Sequence, residues 1–303
     1  MKSISKKILT MFVIFTFCFM ALGSGNSSDD NIKPITKNDE AQSETKSEES
    51  SKQIKSLTPT IEEQVLFENN GIKVTAKEIS EGWAGPELKV LIENDSEKNV
   101  TVSLDEIAVN DYMVSAWLYE DVAAGKKSNA TFSIWSSNLS DAGITNVGKI
   151  DMYFKVINSE TYDTIYESEG IEIKTSLFDK MDSDVNDVGE KMVNQNGIRV
   201  VGKGVSNDSI WGSGVVLYIE NNTDKSILVT TDNLSVNGYM ITGYLYSTVK
   251  PGKKAVESII LSSSDLEDND IDKIEELSLS FEISDADTWR SIFSTDEMSF
   301  NIE

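Results

Sequence analysis

The stretch DLEDNDID sets Asp265, Glu267, Asp268, Asp270 and Asp272 within one short segment. Carboxylate oxygens at alternate positions are what a calcium ion takes. A twelve-residue calcium loop starting at Asp268 would need glycine at its sixth position and glutamate at its twelfth, where Lys273 and Leu279 stand. Asp265, Asp268, Asp270 and Asp272 are therefore weak metal candidates, and a solvated acidic loop is the alternative. Trp83 in EGWAGPE and Trp211 in SIWGSGV sit beside glycines in loop-like segments. Such a ring either stacks on the apolar face of a sugar or folds back over a core end, where it removes about 150–250 Å² from water.

Composition excludes most other chemistry. There is no histidine, so the commonest general base and the commonest transition-metal ligand are both missing. The single cysteine is Cys18, inside an apolar N-terminal run, and no nucleophile elbow, phosphate loop or paired-cysteine metal motif occurs. Catalysis is not expected, and no cofactor. With 51 acidic against 27 basic residues and a net charge of −24, the chain repels nucleic acid and anionic lipid headgroups.

The elements that position these residues come in two copies. The segment IAVNDYMV from Ile107 reappears as LSVNGYMI from Leu234, and VAAGKKS from Val122 as VKPGKKA from Val249. ENNGIKVTAKEI from Glu68 matches NQNGIRVVGKGV from Asn194, and LIENDSEKN from Leu91 matches YIENNTDKS from Tyr218. YFKVINSETYDTIYES from Tyr153 matches SFEISDADTWRSIFST from Ser280. The offset changes from 126 to 127 residues at the Trp83/Trp211 loop, so one inserted residue there accounts for it.

Within a copy the apolar residues alternate with polar ones, as in Ile72-Val74-Ala76, Leu88-Val90-Ile92 and Val100-Val102-Leu104. That period of two predicts half-buried strands, and no long segment shows a helical period. Asn110-Asp111 and Asn237-Gly238 predict two-residue hairpin turns. The pairing such a turn imposes puts Tyr112, Val114, Ala116 and Leu118 inward and Met113, Trp117 and Tyr119 outward. In the second copy Tyr239, Ile241 and Leu245 point inward, and Met240, Tyr244 and Tyr246 outward. Trp117, Tyr119, Tyr244 and Tyr246 are thus candidate partner-binding residues, unless the register slips by one and the stripe is core. Lys126-Lys127 and Lys253-Lys254 follow turn glycines and are expected to be solvated tips. Near Ser262 one serine-capped helical turn is expected.

The layout follows. Residues 1–23 read as a signal peptide: Lys2, Lys6 and Lys7 precede the run ILTMFVIFTFCFMAL, too short for a bilayer-spanning helix, and Ala21 and Gly23 suit cleavage. Residues 24–60, rich in Ser, Lys and acids, are expected to be a disordered linker. Residues 61–176 and 190–303 are the repeats, joined by the acidic segment 177–189. The fold class is all-β, two tandem immunoglobulin-like antiparallel β-sandwich domains.

The succession NGIKVTAKEI, LKVLIENDSEKNVTV, VNDYMV and VAAGKKSNATFSI resembles the telokin-like immunoglobulin-fold domains of unknown function in secreted proteins and lipoproteins of Gram-positive bacteria. The resemblance covers both copies and implies an extracellular or cell-envelope location, with no established catalytic residues to carry over. Lipoprotein members carry a cysteine at the cleavage point. Here LGSG lacks it, and Phe17 before Cys18 fits that site poorly. The expected protein is a non-catalytic binding or structural protein whose partner is an unknown protein or glycan at the cell surface. A carbohydrate-binding or calcium-dependent accessory module is the alternative. Membrane contact is expected only through the signal segment if it is retained.

Overall fold

Alternating hydrophobicity becomes strand throughout. The structure, a computed structural model, describes residues 32–33, 35–37, 58–181, 187–209 and 212–302. The signal segment, Cys18 and Trp211 lie outside them. Two short strands come first, β1 (Ile32–Lys33) and β2 (Ile35–Lys37). The first copy then runs β3 (Gln64–Asn69), β4 (Ile72–Glu81), β5 (Pro86–Asn94), β6 (Val100–Val109), β7 (Tyr112–Val114) and β8 (Tyr119–Val122). It continues with β9 (Lys126–Ser133), α1 (Ser136–Asp141), β10 (Lys149–Asn158), β11 (Thr164–Glu167) and β12 (Ile171–Lys174).

The second copy repeats the series. Its first half is β13 (Glu190–Gln195), β14 (Ile198–Ser209), β15 (Gly212–Asn221), β16 (Ile227–Val236), β17 (Tyr239–Met240) and β18 (Gly243–Tyr244). Its second half is β19 (Ser247–Val249), β20 (Lys254–Leu261), α2 (Ser263–Asp268), β21 (Glu276–Asp285), β22 (Ser291–Ser294) and β23 (Met298–Ile302).

The chain is all-β, built of several antiparallel sheets. In the first copy β3, β4, β5 and β9 form one sheet, while β6 pairs with β7, β8 and β10, and β10 with β11 and β12. In the second copy β13–β14–β15–β20 and β16–β21–β23 repeat this pairing. There are two apolar clusters: one is built on Leu88, Ile92, Ile107, Ile150 and Phe154 and takes in Val201 and Tyr218 of the second copy, the other on Leu217, Ile219, Leu277, Phe281 and Phe300. Burying such a side chain contributes roughly 1.5–3 kcal/mol.

Two repeated asparagines explain much of the repeated wording. Asn94 and Asn221 are wholly buried and fully hydrogen-bonded. Asn221 Nδ2 donates to Lys225 O at 2.8 Å and Val249 O at 2.7 Å, and its Oδ1 accepts from Thr223 N and Thr223 Oγ1. Asn94 makes the same bonds to Lys98, Val122 and Ser96. The turn asparagines do double duty. Asn110 and Asn237 adopt φ of 49° and 51°, as a type I′ turn requires. Their side chains also fasten the loop that enters the next long strand: Asn110 Oδ1 accepts from Gly148 N and Lys149 N, and Asn237 Oδ1 from Glu275 N and Glu276 N.

Two expectations need correction. Residues 32–33 and 35–37, inside the segment expected to be a disordered linker, add strands to the second copy. β1 pairs antiparallel with β14 (Ile32 opposite Ser206), and β2 with β23 (Ile35 opposite Ile302). Tyr239, expected inward, is 51% exposed although it pairs with Val236 as the turn demands. Its counterpart Tyr112 is buried because the second copy covers it. The Tyr112 and Tyr218 rings meet edge-on with centroids 6.5 Å apart, and Lys254 lies over the Tyr112 ring. Nothing among the described residues plays that part for Tyr239.

Candidate functional site

The copies meet along a charged seam. β20 runs beside β7 in parallel, and Lys254 N donates to Asp111 O at 2.8 Å. Lys253, expected at a solvated tip, is only 8% exposed. Its ammonium donates to Asp111 Oδ1 and Asp151 Oδ2, both at 2.7 Å, and Lys149 donates to Asp111 Oδ1 at 2.7 Å. Burial disfavours charge on Lys253, but the carboxylates of Asp111 and Asp151 outweigh it and hold its pKa above the ordinary value. For Asp111 burial likewise opposes ionisation, and the two lysines outweigh it, so its pKa is lowered. Asp111 adopts φ of 69° where the second copy has Gly238 at 82°. Its backbone strain is offset by these ion pairs. The lysine equivalent to Lys253 in the first copy, Lys126, is exposed as expected, and Lys127 pairs with Glu93.

Above this seam lies a second ion pair, Lys250 to Glu106 at 2.8 Å, with Lys250 also over the Tyr153 ring. Glu106 has a raised pKa because burial outweighs the help from Lys250. Tyr246 is nearby; burial and then the Glu106 charge raise its hydroxyl pKa.

The sequence-predicted aromatics sit on the surface. Trp83 is 79% exposed and covers no core, which corrects the folding-back alternative. Trp117 is 61% exposed, and Tyr119, Tyr244 and Tyr246 also face solvent, while Leu118 and Leu245 between them are buried. The acidic segment is divided between α2 and the following turn. Ser262 caps α2 by accepting from Asp265 N, as expected, and the Asp265 carboxylate accepts from Thr242 N at 2.7 Å, which lowers its pKa. Among the described residues no three carboxylates come together in a metal-holding arrangement, Asp265, Asp268, Asp270 and Asp272 included.

Two aromatics escaped the sequence reading. Tyr162 and Trp289 occupy the same place in the turns after β10 and β21, are 72% and 66% exposed, and have φ of 61° and 58°. Both turns are built alike. Asn158 Oδ1 accepts from Glu160 N and Thr161 N, while Asp285 Oδ1 accepts from Thr288 N. Tyr162 N and Trp289 N donate back to Asn158 O and Asp285 O at 2.8 Å. The Thr288 bonds and Lys225 hold Asp285 at a pKa of about 2. Glycine is the default at left-handed φ, and another residue there costs of order 1–3 kcal/mol. The Trp289 ring lies beside Tyr246, centroids 6.1 Å apart and planes inclined by 42°. The signal that could have found both residues was present: an aromatic kept at one aligned position in both copies.

No family model and no curated protein matches the chain. Among solved structures, a protein of unknown function from Porphyromonas gingivalis W83 is 11% identical, with 73% of this chain and 97% of that chain covered, at a TM-score of 0.20. Bacteroides uniformis beta-glucuronidase 2, covalently bound to cyclophellitol-6-carboxylate aziridine, is 11% identical, with 72% of this chain and 26% of that chain covered, at a TM-score of 0.21. At such scores neither likeness bears on what this chain does.

Proposed function

We propose that the protein is a non-catalytic binding protein of the cell exterior or envelope, built from two tandem immunoglobulin-like β-sandwich domains of the telokin-like kind. A signal peptide over 1–23 delivers it. The strand pairing supports the domain reading: in each copy a β4–β5–β9 type sheet and a β6–β10 type sheet share one apolar cluster. The observation that carries the binding reading is the set of large aromatics left in solvent, Trp83, Trp117, Tyr119, Tyr244 and Tyr246. A fold with buried cores has no use for them there, whereas binding surfaces are enriched in such rings.

The exposure of Trp83 keeps a second reading alive, a carbohydrate-binding accessory module. Sedimentation of the full chain with purified cell envelopes tests the binding reading. Envelope-dependent sedimentation that falls in Trp117→Ser supports it. A chain that stays in the supernatant with every envelope fraction contradicts it.

A further inference from the structure

Trp289 combines three features that the fold alone does not explain. It is large, it lies mostly in solvent, and it holds a left-handed backbone conformation that favours glycine. The first copy repeats all three with Tyr162. Strained residues persist where the surroundings over-determine them and cluster at functional sites. Here the surrounding turn is fixed by the Asp285 carboxylate, the bond from Asp285 N to Arg290 O at 2.8 Å, and the bond from Ala286 N to Ser226 O at 3.0 Å. The turn therefore holds the indole out beside Tyr246, and in the first copy Tyr119 and Tyr162 stand at the equivalent positions.

From this we infer that Tyr246 and Trp289 form a stacking platform for pyranose units of a neutral glycan. The inclined rings do not cover one another, so apolar ring faces stay open for the C–H face of a sugar. The rim supplies both hydrogen-bond senses: Glu106 and Asp287 accept, and Lys250 donates. Charge selects among ligands. An anion meets Asp287 and a chain of net charge −24, while Glu106 is already paired with Lys250 and is not free to hold a cation. A neutral polyhydroxylated ring has no such conflict.

The inference rests on the binding reading above but is tested apart from it. The full chain is run through native gels containing hydroxyethylcellulose, laminarin, mannan or amylose. At least one polymer should retard it, with Trp289→Ala and Tyr246→Ala binding about tenfold more weakly. Trp289→Gly should lose retardation equally while its melting temperature stays level or rises, because glycine relieves the left-handed strain. Retardation by none of the polymers overturns the inference, as do unchanged retardation of the variants, a lower melting temperature for Trp289→Gly, or retention only on a tetramethylammonium resin. Polymer retardation unchanged in Trp289→Gly, with envelope sedimentation still falling in Trp117→Ser, would leave the binding reading standing and remove only this platform.

Discussion

Lys253 of the second copy places its ammonium 2.7 Å from Asp151 Oδ2 of the first, with both side chains about nine-tenths buried. One cation thus serves two carboxylates across the joint between the repeats. Removing one member of a buried pair leaves the other charge uncompensated, at about 3–5 kcal/mol. Lys253→Ala should lower the stability of the full chain by that order in urea unfolding. Lys126→Ala, at the equivalent exposed position, should stay within about 0.5 kcal/mol. Equal effects of the two variants would contradict the seam.

The seam also has a pH signature. Asp111 has a lowered pKa, so its contribution is complete above the ordinary carboxylate value of about 4 and is lost as pH falls through the depressed value. Lys253 has a raised pKa, so its contribution is complete below about 10.4 and is lost as pH rises through the elevated value. The stability difference between the parent and Lys253→Met, followed by urea unfolding, should be flat between about pH 5 and 10 and shrink on both sides. A difference that varies steeply near neutrality would rule this out.

Asp285 and Asn158 do the same work in equivalent turns with different chemistry. With a pKa of about 2, Asp285 contributes stability that is present above the unfolded carboxylate value and lost as pH falls toward 2. Asp285→Asn imitates the first copy and should remove that dependence. The urea midpoints of parent and variant, measured at pH 6 and pH 3, should converge at the lower pH. Parallel values at both would show that the carboxylate charge is idle.

Asn221 supplies the only side-chain amide reaching Lys225 O and Val249 O among the described hydrogen bonds. Asn221→Ala leaves buried groups without partners, each at about 1–3 kcal/mol. The thermal midpoint should fall accordingly, and Asn94→Ala should act alike in the first copy. A neutral result at either position would mean that water replaces the amide.

The all-β fold was legible because Leu88, Val90 and Ile92 alternate with polar neighbours, and the hairpin register because Asn110-Asp111 leaves one pairing, Val109 with Tyr112. What alternation cannot convey is what packs on an outward or end position from another part of the chain. Lys253 and Lys126 share the local pattern Gly-Lys-Lys, yet one is buried by the partner repeat and the other is exposed. Tyr112 and Tyr239 differ for the same reason. The differences between the copies carried the missing information. Asp111 against Gly238 and Asp151 against Ser278 mark the side of the first copy that receives Lys253. Among the aromatics, alternation identified Trp117 and Tyr246, which lie on strand-like stretches. It had no purchase on Trp289, which lies in a turn where backbone conformation decides.

The central claim is that the surface aromatics serve recognition and not folding, and Trp117→Ser measures it most directly. Trp117 is 61% exposed, so the urea midpoint should correspond to a change within about 0.5 kcal/mol while envelope sedimentation weakens. A stability loss of about 3–5 kcal/mol, as for a core ring, or undiminished sedimentation with an unchanged midpoint, would contradict the account.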